Sequence, residues 1–259
     1  MITGKDNELV KEVTKLMNSA RHRRESRCFV AEGVRLCMDG AVSGAEMRWF
    51  LYTEAAQKKY AAEFALVSQK AVRSAAVSEA VFRKMADTAA PQGFLCIFSA
   101  LDKWQDTSTI DKKGRYAALE NIQDPSNLGT ILRTAEALGT DGIILSSDCC
   151  DVYAPKVVRG SMGAVFRVPL MIVEDFTAVI RSLTDSGMMT YASTPHEATS
   201  IKEIDFSDGG VMLIGNEGNG LKAETIAACR QSVRIDMKGR AESLNAAAAA
   251  AILLYCLQG

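Results

Sequence analysis

Three short stretches in the second half of this 259-residue chain gather side chains that can do chemistry. The first, residues 119–139, carries Asn127 and Arg133 behind an Asp-Pro-Ser turn. An amide and a guanidinium both donate hydrogen bonds to phosphate or alkoxide oxygens, and the guanidinium, with a pKa above about 12, does so as a permanent cation. The same residues fit a helix that Asn127 merely caps and on which Arg133 is a solvated surface charge. The second stretch, residues 213–221, places Gly215, Gly218 and Gly220 around Asn216 and Glu217. Glycines at a strand's end let backbone approach a ligand closely, although a tight exposed turn needs them equally. Their spacing is G-x-x-G-x-G, not the G-x-G-x-x-G of dinucleotide sites, which disfavours a nicotinamide enzyme. The third, residues 233–245, runs from a strand through Gly239 to Ser243 and Asn245, either of which can cap a following helix.

Apolar runs at residues 116–119, 142–145, 165–172, 188–193, 211–214 and 233–235 alternate with helical patterns. That alternation predicts βαβ units and a mostly parallel sheet covered on both faces. In such sheets ligands bind beyond the strands' carboxyl ends, where the glycine-rich stretch would lie. Leu128, Ile131, Leu132, Ala135 and Leu138 form the core stripe of one helix, with Arg133 on the other side. Six consecutive alanines, Ala246 to Ala251, start a last helix whose small side chains permit close approach of a neighbour, even another subunit. Apolar runs at residues 28–31, 49–52 and 94–98 predict a separate α/β domain over residues 1–100. Residues 101–115 are polar and without period and read as a linker, so the second domain covers 116–259.

Thirty Lys and Arg against thirty-one Asp and Glu give a net charge of −1, so any contact with nucleic acid must be local. A basic run, Arg21, Arg23, Arg24 and Arg27, suits phosphates, although a solvated helix face accounts for it as well. Seven scattered cysteines without a C-x-x-C argue against a disulfide framework or zinc site. With no apolar signal core and no run of membrane-spanning length, a cytoplasmic protein is expected.

In order and spacing, Asn-x-Gly-x-x-x-Arg from Asn127, Gly-Asn-Glu-Gly-x-Gly-Leu from Gly215 and Ile-x-Met-x-Gly-x-x-x-Ser-Leu-Asn from Ile235 resemble the SpoU (TrmH-like) family of RNA methyltransferases. Residues 155–164, with Lys156 and Arg159, are similar to that family's connecting segment. The amino-terminal half looks like the L30e-like substrate-binding domain often fused to the family. The resemblance implies a deep trefoil knot, S-adenosyl-L-methionine as cofactor with no metal, and a homodimer through the knotted domains. It implies a catalytic set of Asn127, Arg133, Glu217, Ser243 and Asn245. Cofactor contacts would fall at Ser193, Thr194, Gly215, Asn216, Gly218, Gly220, Ile235, Met237 and Leu244. RNA contacts would fall at Arg21, Arg23, Arg24, Arg27, Lys156 and Arg159. The expected reaction is methylation of a ribose 2′-hydroxyl, of 23S ribosomal RNA in preference to transfer RNA. The rivals are methylation of a base nitrogen and a non-catalytic RNA-binding or ribosome-assembly protein. Asp236 stands where the family usually has proline.

Overall fold

A computed structural model of the chain describes residues 1–102, 107, 110–195 and 197–259; His196 and most of the middle of the expected linker lie outside the described residues. Two compact units divide it, one of Met1–Leu101 with Asp151–Arg167, the other of Asp102–Cys150 with Val168–Gly259.

The first unit runs α1 (Glu8–Asn18), α2 (Ala20–Ser26), β1 (Cys28–Glu32), α3 (Val34–Val42), β2 (Met47–Tyr52), α4 (Glu54–Lys59), α5 (Ala61–Lys70), β3 (Arg73–Ala76), α6 (Glu79–Met85) and β4 (Phe94–Ser99). Its sheet has the order β1-β4-β2-β3. β4 is antiparallel to both neighbours, while β2 and β3 are parallel. The apolar side of α1, Val10, Val13, Leu16 and Met17, closes one face over Val30, Leu51 and Ile97. β3 escaped the sequence reading because its residues, Arg-Ser-Ala-Ala, are polar or small and half exposed.

The second unit holds β5 (Arg115–Leu119), α7 (Pro125–Ala137) and β6 (Gly142–Ser146). Next in the chain comes α8 (Pro155–Gly160), which belongs to the first unit. β7 (Leu170–Val173), α9 (Phe176–Asp185), β8 (Thr190–Ser193), β9 (Thr199–Ser200), β10 (Gly210–Ile214), α10 (Ala223–Ala228), β11 (Gln231–Arg234) and α11 (Ala246–Leu257) complete the second. The seven strands, in the order β7-β6-β5-β10-β8-β11-β9, pair in parallel throughout. β6 and β10 are buried along their whole length, as parallel strands covered on both faces must be. The α/β class with a mostly parallel sheet is therefore as expected.

One expectation changes. The apolar run 165–172 is not one strand: Ala164–Phe166 is a short 3-10 turn after Gly163, whose φ is +88°, and β7 starts only at Leu170. Residues 151–167 pack with the first hundred residues because Tyr153 and Phe166 stack on β1 and β4. The Phe29 and Tyr153 ring centroids lie 4.7 Å apart and those of Phe98 and Phe166 4.9 Å apart.

No helix among the described residues is long and apolar enough to cross a membrane, and no group of three or more His, Cys, Asp or Glu among them is placed to hold a metal.

Candidate active site

The sheet order turns between β5 and β10: the chain builds β6 and β7 on one side of β5, and β10, β8, β11 and β9 on the other. Leu119 pairs with Ile214 at the carboxyl ends of the two central strands, so the first and second chemical stretches leave the sheet side by side. A crevice at such a switch point is where open parallel sheets bind ligands. Here it is a cavity of about 290 Å³, close to the lower end of the volumes small-molecule sites occupy.

Its lining includes all nine residues expected at the cofactor, namely Ser193, Thr194, Gly215, Asn216, Gly218, Gly220, Ile235, Met237 and Leu244, together with Glu217 and Ser243. Pro195, Arg234, Glu242, Ala246, Ala249 and Leu253 also line it. The last three were not among the expected cofactor contacts. Their spacing of three and four residues puts them on one face of α11, where small side chains leave room for a ligand.

The glycine-rich loop is held by its own side chains. Asn216 donates from Nδ2 to the Asn121 carbonyl (2.8 Å), and its Oδ1 accepts from the amides of Gly218 (2.9 Å) and Asn219 (3.0 Å). A Cβ on Gly215 would lie 2.2 Å from the Gly220 carbonyl carbon and 2.3 Å from the Leu221 nitrogen, so no larger residue fits there without moving backbone. Behind the loop, buried Glu120 accepts from the Lys222 amide (2.9 Å) and Thr225 Oγ1 (2.7 Å), fixing the loop's exit to the end of β5. Sequence reading passed over Glu120; a carboxylate directly after an apolar strand was the available signal.

Asn127, Glu217 and Asn245 meet in a relay. Asn245 caps α11, its Oδ1 accepting from Ala247 (3.0 Å) and Ala248 (3.3 Å), while its Nδ2 donates to Asn127 Oδ1 (2.9 Å). Asn127 Nδ2 then donates to Glu217 Oε1 (2.9 Å). A carboxylate accepts only and helix amides donate only, so the two ends of the relay fix the orientation of both amides. Glu217 also accepts from the amides of Gln123 and Asp124, each at 3.1 Å, which sets its charge at the positive end of α7.

Asn127 is not the cap of α7, contrary to the sequence reading. Asp124 caps it by accepting from Ser126 N (2.8 Å), and Pro125 takes the first helical position, which leaves Asn127 free to join the other two motifs. It is buried, with both ends of its amide engaged by the other two motifs.

Burial alone would raise the Glu217 carboxyl, but the hydrogen bonds from Asn127 and from the backbone of Asp124 and Gln123 outweigh it and hold the carboxyl below the ordinary value. It is thus an anion at neutral pH and a poor general base. A depressed folded pKa means that the unfolded chain takes up the proton more readily, so Glu217 stabilises the fold above the ordinary glutamate pKa of about 4.3 and loses that contribution as pH falls through its lower folded value. Glu217→Gln should lower the unfolding temperature at pH 7, with the gap to the parent narrowing steadily below about pH 4.3. A gap independent of pH would contradict the ionic role.

Arg133 lies on the exposed side of α7, outside the cavity lining of its own chain. In the first unit, Arg21, Arg24 and Arg27 are exposed, Arg21 pairing with Glu25 at 2.7 Å. Arg23 is not available to phosphate. It is buried, pairs through Nε with Asp151 at 2.7 Å and donates to the Leu16 and Met17 carbonyls, tying α1 and α2 to the 151–167 segment. Lys156 is exposed, and Arg159 pairs with Asp87 at 2.6 Å. Burial pushes the Cys149 thiol up, and its sulfur bonds the Leu119 carbonyl, which suits a strand end better than a nucleophile.

Comparison with known proteins bears on this geometry. Residues 114–255 match the SpoU rRNA Methylase family, and residues 7–96 match the MRM3-like substrate binding domain. An uncharacterized tRNA/rRNA methyltransferase of Synechocystis is 32% identical over 98% of this chain and 92% of its own length. The 23S rRNA (guanosine(2553)-2′-O)-methyltransferase of Bacillus subtilis is 26% identical over 100% of this chain and 99% of its own. A crystal structure of an AdoMet-bound rRNA methyltransferase from Sinorhizobium meliloti superposes with a TM-score of 0.85 at 32% identity, covering 99% of this chain and 96% of that one.

Proposed function

The chain belongs to the SpoU family of RNA methyltransferases, and from that premise we propose that it methylates a ribose 2′-hydroxyl of 23S ribosomal RNA with S-adenosyl-L-methionine bound in the cavity beside the glycine-rich loop. The observation that carries this is the convergence of the three motifs, through the Asn245–Asn127–Glu217 relay, on one cavity at the sheet's switch point.

The lining suits the cofactor. Ile214, Val233, Leu244 and Leu253 offer apolar surface, the 215–220 loop offers backbone at close range, and Glu242 offers a carboxylate to a cationic ligand. Bound there, S-adenosyl-L-methionine supplies an electrophilic methyl group on its sulfonium. The chain's own task is to align the hydroxyl with that methyl and to stabilise the charge that develops as its proton leaves.

Arg133 is the residue for that charge. As a permanent cation it serves as anion binder to the phosphate and nascent alkoxide, not as base. Its place outside its own cavity fits a homodimer in which each subunit lends Arg133 to its partner. On α7 the exposed residues Ser126, Thr130, Arg133 and Ala137 form one stripe, and on α11, which packs against α7, Ile252 and Tyr255 are exposed. Tyr255, 70% exposed at the end of an otherwise apolar helix, is the kind of side chain a second copy would cover. The relay residues position the loops, Ser243 shapes the turn into α11, and Arg21, Arg24, Arg27 and Lys156 are the basic groups for RNA. The loops at residues 193–195, 215–221 and 235–244 are those the deep trefoil knot would thread.

Ala249→Phe tests the cavity: a large side chain on the α11 wall should weaken cofactor binding by at least about fivefold, since overfilling a packed site costs about 1–3 kcal/mol. Unchanged affinity measured by calorimetry would move the cofactor elsewhere. The reaction is tested by transfer of labelled methyl to separated rRNA and tRNA lacking their native modifications. Label in 23S rRNA is expected; label confined to tRNA would overturn the substrate, and cofactor binding without label in any RNA would favour an RNA-binding protein.

A further inference from the structure

We infer that Asp236 is a positioning residue for the cofactor, acting through Arg234 by balancing that residue's charge at the cavity wall; this rests on reading the cavity as the S-adenosyl-L-methionine site. Arg234, Ile235 and Met237 all line the cavity, and Asp236 sits between them with its carboxylate turned to the neighbouring strand. One oxygen accepts from Ser200 Oγ at 2.6 Å, and the other lies 3.4 Å from Arg234 Nε. Ser200 is buried on β9, which pairs with β11 through Arg234↔Ser200, while the far end of the Arg234 guanidinium donates to the Ala198 carbonyl. The carboxylate therefore does two things. It pins the backbone of Ile235 and Met237 to the strand beside them, the task that proline, with its fixed φ, would perform by covalent restraint. It also balances the charge of Arg234, a residue of the cavity wall, in a cavity that must accept a sulfonium.

Arg234 without its partner would present a full positive charge to a cationic ligand. S-adenosylhomocysteine, the neutral thioether left after methyl transfer, feels that charge far less. The two ligands thus separate the electrostatic role from the structural one. In Asp236→Asn the affinity for S-adenosyl-L-methionine should fall about threefold to fivefold, the scale of a partly exposed ion pair, and that for S-adenosylhomocysteine by less than about twofold. Arg234→Gln combined with Asp236→Asn restores neutrality and should return the ratio of the two affinities to that of the parent. Ser200→Ala keeps both charges and loses one hydrogen bond, so it should weaken both ligands alike.

The experiment is calorimetric titration of both ligands into the parent and the three variants at low ionic strength, with the unfolding temperature recorded for each. A selective loss for the sulfonium in Asp236→Asn, cancelled in the double variant, is the expected result. Equal weakening of both ligands, no change, or a ratio that the double variant leaves shifted would overturn the inference while leaving the cofactor site standing. Failure of the parent protein to bind either ligand would instead overturn the reading of the cavity, and this inference with it.

Discussion

Arg133→Ala should abolish methyl transfer to RNA while leaving the affinity for S-adenosyl-L-methionine unchanged. A single preorganised donor to a developing oxyanion is worth about a hundredfold to a thousandfold in turnover, and a guanidinium that also holds the adjoining phosphate belongs at the upper end. Arg133 is exposed and absent from the lining of its own cavity, so its removal disturbs neither the core of α7 nor the loops around the cofactor. Arg133→Lys keeps the charge but not the planar fork and should recover only part of the loss. The dimeric arrangement adds a sharper test. Mixing Arg133→Ala with Ala249→Phe in equal amounts, under conditions that exchange subunits and at a cofactor concentration that fills the parent cavity but not the Ala249→Phe one, should restore about a quarter of the parent activity, because half the dimers are then mixed and each mixed dimer has one intact site. No restoration would mean that Arg133 serves its own subunit. Near-normal turnover of Arg133→Ala, with the cofactor bound, would remove Arg133 from the catalytic set.

Gly215→Ala should have the next largest effect, on cofactor binding first and on stability second. The added Cβ would meet the Gly220 carbonyl carbon at 2.2 Å, the Leu221 nitrogen at 2.3 Å and the Gly220 oxygen at 2.5 Å, all backbone atoms that cannot swing away. The loop must open, and the residues that line the cavity move with it. Binding should weaken by more than about tenfold and unfolding should cost about 1–3 kcal/mol less, the usual penalty of overpacking. Gly218→Ala is the matched control. Its Cβ would come no nearer than 3.6 Å to Asn216 Oδ1 and its φ is not positive, so binding should stay within about twofold of the parent. Equal effects at both positions would show that flexibility, and not close approach, is what the glycines provide.

The sheet was legible in sequence for a physical reason, and the cavity's residues through the family resemblance. Parallel strands buried on both faces leave near-continuous apolar runs, and the residues that follow each run must emerge at the carboxyl edge where ligands bind. Ser193, Gly215 and Ile235, which the family resemblance marks as cofactor contacts, follow or end such runs and meet in one lining. What depends on distant partners was not legible. Arg23 reads as part of a basic surface run until Asp151, 128 residues away, takes it into the interior. Nothing local says that Tyr153 and Phe166 will stack on Phe29 and Phe98. Asn127 was placed one turn too early, although Pro125 marked the first helical position and Asp124 the cap. The alanine run announced close packing, but only the fold shows that Ala246 and Ala249 face the cavity.

Transfer of the methyl group to a ribose oxygen is tested by alkaline digestion of RNA labelled by the purified enzyme, because strand cleavage in alkali requires a free 2′-hydroxyl to attack the neighbouring phosphate. Label recovered in alkali-resistant dinucleotides, and as a 2′-O-methylnucleoside after complete enzymatic digestion, is expected. Label recovered in alkali-labile mononucleotides carrying a methylated base would contradict it.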